Sequence, residues 1–209
     1  MPGPLPIDDV ISKTLRGIAR AQKDYEYWTD GYWLQEAPEY MTTVYVAREI
    51  CKTRDRGYYL TLESNARQTL RDAGGIGKGR VSPESRLGGK FDIVLYWADG
   101  YPRIVIELKK QVTNFKQLKQ DSYRICNALR NPSNRVQRGL IAFYTSCKDR
   151  RDAGPRNRIV EILDGVERDV EEYLKNRRPA VKVKASMHRR IREAGNSAWV
   201  AAVLEMERA

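Results

Sequence analysis

Two features of the sequence predict a mixed α/β fold in which helices flank a mixed β-sheet. Stretches whose apolar residues recur at helical spacing are interleaved with short alternating or continuously apolar runs that read as strands. Several of those strands are neighbours in sequence, one pair straddling Asp99-Gly100, so hairpins must be built into the sheet.

The elements follow in order. Residues 8–24 form a basic helix-like stretch that leads into an aromatic cluster, Tyr25, Tyr27, Trp28, Tyr32 and Trp33. Those rings either cover a core or stack on bases. Pro38 suits a first helical turn, and 38–53 reads as a helix with Met41, Val44, Tyr45, Ala47, Ile50 and Cys51 near one face. A strand is expected at 58–63 and a short helix at 64–73, stopped by Gly74 and Gly75. Residues 74–90, with six glycines and the cations Lys78, Arg80, Arg86 and Lys90, read as a loop. Its GGIGKG departs from a phosphate-binding loop, because Gly79 stands where Ser or Thr should follow the lysine. Lys78 and Arg80 are nonetheless placed to meet a phosphate backbone. Strands at 91–97 and 103–109 come next, then a helix at 114–130 with the stripe Phe115, Leu118, Ser122, Ile125 and Leu129. A strand at 139–146, a helix at 157–175 and two strands at 180–187 and 197–206 complete the chain. Residues 1–37 are expected to form an N-terminal extension packed on one domain, 38–209, with its core at 38–146 and a C-terminal helix and β-hairpin extension at 147–209.

Composition narrows the class of function. The 209 residues carry a formal net charge of +11, with 31% charged residues. That charge predicts attraction to polyanions, and with no basic amphipathic helix to suggest a membrane surface, nucleic acid is the expected partner. No run of about 18 apolar residues points to a membrane span. The N-terminus lacks a basic-then-apolar leader pattern, so a cytoplasmic location is expected. Cys51, Cys126 and Cys147 are too scattered for a disulfide framework or a zinc knuckle.

The segment FDIVLYWADGYPRIVIELKK, residues 91–110, carries the chemistry. If Asp99-Gly100 is a two-residue turn, Ala98 faces Tyr101 and Asp92 faces Glu107; a four-residue turn keeps this pairing, and a bulge shifts it by one. Alternation puts Asp92, Val94 and Tyr96 on one face of the first strand, and Val105, Glu107 and Lys109 on one face of the second. The other face, Phe91, Ile93, Leu95, Trp97, Ile104, Ile106 and Leu108, is uniformly apolar. Opposed carboxylates roughly 5 Å apart repel unless a positive charge joins them. Lys109 supplies part of that charge, and a divalent cation would supply more. Oxygen donors favour Mg²⁺ or Mn²⁺ over zinc. The competing reading is a structural Asp–Glu–Lys cluster at a solvated sheet edge.

Asp92 early in one strand, Glu107-Leu108-Lys109 in the next, a helix with Gln117, Gln120 and Tyr123, and an apolar strand after it resemble the PD-(D/E)xK nuclease superfamily. The resemblance covers residues 38–146 and implies a restriction-endonuclease-like αβββαβ core. It also implies Mg²⁺-dependent hydrolysis of phosphodiester bonds, with Mn²⁺ able to substitute. Asp92, Glu107 and the Leu108 carbonyl would ligate the metal, and Lys109 would position the attacking water and meet developing charge. Phe91 stands where many members have proline. The family often adds an acid from the first helix, for which Glu49 is the candidate by position and Glu63 its rival. A restriction-like member would be a dimer.

Positive charge also gathers at 177–192, with seven Lys or Arg and no acid. Lys182 and Lys184 share one face of a strand and suit a phosphate backbone, or protect a sheet edge. Three readings follow: a metal-dependent DNA endonuclease, an inactive nucleic-acid-binding module of the same fold, or a structural or assembly protein of a mobile element. An RNA substrate stays open.

Overall fold

The computed structural model describes residues 5–52, 57–74, 88–130, 135–148, 154–177 and 181–209. Helices α1 (Ile7–Trp28) and α2 (Glu39–Cys51) precede strand β1 (Tyr58–Asn65) and the short helix α3 (Ala66–Asp72). Strands β2 (Lys90–Trp97) and β3 (Pro102–Lys109) lead to helix α4 (Lys119–Leu129) and strand β4 (Arg138–Lys148). Helix α5 (Pro155–Arg177) and strands β5 (Val181–His188), β6 (Arg192–Ala194) and β7 (Ser197–Arg208) follow. The fold is mixed α/β: one seven-stranded sheet in the order β1-β2-β3-β4-β7-β5, with β6 paired to β7. All pairings are antiparallel except β3 with β4, whose connection runs through α4. No helix among the described residues is long and apolar enough to cross a membrane.

Both sheet faces are covered. Val94, Val105, Ile141, Phe143, Ala202 and Leu204 pack with Ile125 and Leu129 of α4 and Ile159, Val166 and Val170 of α5. Ile93, Leu95, Ile104, Ile106, Leu140 and Val203 pack with Val10, Ile11, Ile18 of α1 and Val46, Ile50 of α2. The strands in the middle therefore read as continuous apolar runs, as burial on two faces requires. The N-terminal helix shares its core with the sheet. Gly139 lets α4 approach β4: a Cβ there would lie 2.1 Å from Ile125 Cγ2.

The hairpin differs from the expected one in two places. Gly100 N–H donates to the Trp97 carbonyl at 3.0 Å and Trp97 N–H to the Tyr101 carbonyl at 2.9 Å, while Gly100 has φ +87°. The loop thus has three residues, 98–100, closed by a left-handed glycine, and Trp97 rather than Ala98 faces Tyr101. That shift is undone at once: Tyr96 pairs with Pro102 but Leu95 with Ile104, so Arg103 bulges from β3. Beyond the bulge Val94–Val105 and Ile93–Ile106 stand in the expected register. Phe91 also departs from the expected apolar face, because it packs in the cluster beneath α3 and α4.

One further expectation is corrected. The helix over 114–130 divides into a 3₁₀ turn, Phe115–Gln117, and α4. The C-terminal strands extend the sheet as a hairpin, with β7 on the β4 edge and β5 paired antiparallel to β7. The aromatic cluster begins within α1, and Tyr27, Trp28 and Tyr32 are 85%, 62% and 64% exposed.

Candidate active site

Asp92 and Glu107 stand one step beyond the last paired residues of β2 and β3, Ile93 and Ile106. There the ladder changes character, because the Leu108 N–H donates to Asp92 Oδ2 at 2.6 Å. The N–H and C=O of one strand residue point to the same neighbour, so the Leu108 carbonyl also faces the Asp92 side. Glu107 is buried, at 1% exposure, and its Oε1 lies 2.6 Å from Arg124 Nη1 of α4. The same Nη1 donates to the Lys90 carbonyl at 2.8 Å. Lys109 Nζ lies 3.5 Å from Asp121 Oδ2 of α4 and 3.7 Å from Glu39 Oε1 of α2. Arg124 Nη2 lies 3.8 Å from Asp121 Oδ1.

Four carboxyls therefore surround two fixed cations, and burial sets their electrostatics. Burial lifts the Asp92 carboxyl above its usual range, against the Leu108 N–H and Lys109. Burial lifts Glu107 well above that range despite Arg124, with Asp121 and Asp92 adding to the rise. Asp121 is raised for the same reason, against Lys109 and Arg124. Burial alone would lower the Lys109 ammonium, but Asp121, Glu39, Asp92 and Glu107 outweigh it and the net shift is upward. Asp121 Oδ2 and Arg124 Nε are buried without a hydrogen-bond partner.

A hard divalent cation would take oxygen donors of the kind gathered here. The acids are all carboxylates, their pKa values are raised chiefly by burial, and Asp121 Oδ2 has the Lys109 ammonium at 3.5 Å. Among the described residues no three His, Cys, Asp or Glu side chains converge into a metal-holding group. Mg²⁺ commonly takes one or two protein carboxylates and fills its remaining positions with water and substrate phosphate. Asp92, Glu107 and the Leu108 carbonyl match that smaller set.

The remaining sequence candidates lie elsewhere. Glu49 is not the helix acid of this cluster. It turns towards α1, paired with Lys52 and 3.7 Å from Arg20, and these cations outweigh its burial and lower its pKa. The acid that α2 does bring is Glu39, in its first turn. Glu63 lies on β1, 43% exposed and 3.3 Å from Lys90 Nζ. Gln117 closes a capping box with Asn114, its Oε1 accepting from the Thr113 N–H at 2.7 Å. Lys78 and Arg80 lie outside the described residues. Lys182 and Lys184 face acids, with Lys182 Nζ 3.4 Å from Glu207 Oε1 and Lys184 Nζ 3.3 Å from Glu205 Oε1. Glu39, Asp121 and Arg124 carried no sequence signal of their own beyond following the E-x-K strand or opening a helix.

A cleft of about 750 Å³ lies past the ends of β3 and β4, lined by Trp33, Gln35, Gln111, Ser146 and Lys148 among others, and by none of the cluster's own side chains. Gln111, two residues past Lys109, has φ +56° and donates from Nε2 to the Ser146 carbonyl at 2.9 Å. Comparison of the chain with protein-family models, curated proteins and solved structures finds no match.

Proposed function

We propose that this protein is a metal-dependent nuclease that hydrolyses phosphodiester bonds, most naturally in DNA. The carrying observation is that Asp92, Glu107 and Lys109 gather at the end of the β2–β3 hairpin, where Asp92 accepts from the Leu108 N–H and α4 links Glu107 to Lys109 through Arg124 and Asp121. The order α2-β1-β2-β3-α4-β4, with β3 and β4 parallel, supports the same reading.

In this reading Asp92, Glu107 and the Leu108 carbonyl hold Mg²⁺, or Mn²⁺ in its place. A bound divalent ion supplies polarisation of a phosphoryl oxygen and of the water that attacks it. Lys109 remains an ammonium, positions that water and meets the negative charge that grows in the transition state. Asp121 and Glu39 hold Lys109 in place, and Arg124 fixes the Glu107 carboxylate. A second reading, an inactive nucleic-acid-binding module, is favoured by the Arg124–Glu107 pair, since a guanidinium already meets that carboxylate.

The test is incubation of purified protein with supercoiled, linear, branched and single-stranded DNA, and with RNA, in Mg²⁺, Mn²⁺ or EDTA. Cleavage of a DNA form with the metals and none with EDTA supports the nuclease. Retention of nucleic acid with no cleavage in any metal supports the binding module.

A further inference from the structure

A second cleft, about 800 Å³, opens between α1 and the β6–β7 hairpin. On α1, Arg16, Arg20, Lys23 and Tyr27 follow at spacings of four, three and four, and so form one stripe of the helix. Across the cleft stand Arg189, Arg190 and Arg192, with the half-buried Trp199 in its wall. Two segments more than 160 positions apart in sequence thus line one groove with six cations, beside the four acids Asp24, Glu26, Glu49 and Glu193.

Ion-pair partners decide how much of this charge is available. Asp24 accepts from the Tyr45 hydroxyl at 2.9 Å and lies 3.9 Å from Arg20. Glu26 accepts from Gln22 at 3.1 Å, Glu49 pairs with Lys52 and Arg20, and Glu193 lies 4.0 Å from Arg156. Arg16, Lys23, Arg189, Arg190 and Arg192 are exposed and form no ion pair among the described residues. Lys182 and Lys184, by contrast, are matched by Glu207 and Glu205.

Aromatic rings accompany this charge. Trp199 lines the groove and stacks on Tyr144; just beyond the lining, Tyr27 continues the cationic stripe of α1 at 85% exposure, and Trp28 beside it is 62% exposed and meets Tyr45 edge-on. A basic groove with rings along it is the combination that binds single strands, because phosphates meet the cations and unpaired bases stack on the rings. The sheet relates this groove to the candidate active site. Lys109, Phe143, Ala202 and His188 form one row across β3, β4, β7 and β5. Three strand spacings separate the ends of that row, roughly 14 Å. Arg189 follows His188, so the cationic hairpin stands at the same end of the sheet as Lys109.

We infer that the cleft between α1 and the β6–β7 hairpin is a binding groove for single-stranded nucleic acid. The inference rests on the reading of the partner as nucleic acid, and is independent of catalysis. It is tested by fluorescence anisotropy with a labelled single-stranded oligonucleotide and the matching duplex, without metal, over a salt series. Arg189→Ala/Arg190→Ala/Arg192→Ala should weaken single-strand binding at least tenfold and make the plot of log affinity against log salt shallower by about 2, at about 0.7 per lost phosphate contact. Tyr27→Ala should weaken single-strand binding roughly tenfold and leave duplex binding unchanged. Lys182→Ala/Lys184→Ala should change little. Circular dichroism and thermal melting establish that each variant is folded. Unchanged single-strand affinity and salt slope in the folded triple variant would overturn the groove while leaving nucleic-acid binding intact. So would duplex binding that is equal to single-strand binding and equally sensitive to Tyr27→Ala. Wild-type protein that binds neither form would overturn both the groove and the nuclease.

Discussion

Arg124 Nη1 on α4 lies 2.6 Å from Glu107 Oε1 on β3, and this pair ties the crossover helix to the strand that carries the E-x-K segment. Both side chains are largely withdrawn from solvent, at 12% and 2% exposure. Breaking such a pair on one side leaves a desolvated charge, which typically costs about 3–5 kcal/mol, whereas replacing both partners by apolar residues is often near neutral. Arg124→Ala should therefore destabilise the fold by about 3 kcal/mol in urea unfolding, and Glu107→Leu/Arg124→Leu by much less. Equal losses in the two variants would mean that packing, and not charge, dominates this contact.

The raised carboxyls make stability depend on pH in a specific direction. Asp92, Glu107 and Asp121 bind protons more tightly folded than unfolded. Their contribution favours the fold fully below the ordinary carboxylate range, near pH ~4, and fades as pH rises through their raised values. Asp92→Asn keeps an acceptor for the Leu108 N–H and removes one of these charges. It should raise Tm at pH 7.5, and the gap from the wild type should close on acidification towards pH 4.5. Added Mg²⁺ should raise the wild-type Tm at pH 7.5 and leave Asp92→Asn unmoved. A wild-type Tm indifferent to Mg²⁺ would count against the metal site.

Lys109 keeps its proton because Asp121, Glu39, Asp92 and Glu107 outweigh its burial. A lysine that worked as a general base would give a pH–rate profile rising through its ionisation. The electrostatic role predicts no such limb, because the neighbouring acids hold the ammonium above the ordinary lysine range. Single-turnover cleavage across pH 6–10 distinguishes the two roles.

Gly139 has no room for a side chain, since an added Cβ would lie 2.1 Å from Ile125 Cγ2. Gly139→Ala should push α4 away from β4, destabilise the fold by about 1–3 kcal/mol and displace Asp121 and Arg124 from β3. Thermal melting and the cleavage rate should fall together. Gly195→Ala, at an open left-handed turn, should cost stability alone.

The local parts of this structure were legible in the sequence. The helices and strands followed from apolar spacing. The register at Val94–Val105 and Ile93–Ile106 follows from the sequence although the turn does not, because the three-residue loop and the Arg103 bulge offset each other. What the sequence did not carry was contact between remote elements. Asp121 and Arg124 have the composition of any solvated helix face, and only the close approach allowed by Gly139 turns them onto β3. Glu49 has the position expected of a helix acid, but α1 lies across that face of α2 and supplies Arg20. Lys182 and Lys184 read as free charge until β7 is placed beside β5, which sets Glu205 and Glu207 against them.

The most direct measurement is supercoiled-plasmid nicking in Mg²⁺ by wild type, Asp92→Asn and Lys109→Ala, with DNA retention measured on the same preparations. Nicking by the wild type alone, abolished by EDTA and lost in both folded variants that still retain DNA, is the predicted result. Nicking that survives Lys109→Ala, or a wild type that retains DNA without cutting it in any metal, would contradict the assignment of this cluster as a hydrolytic centre.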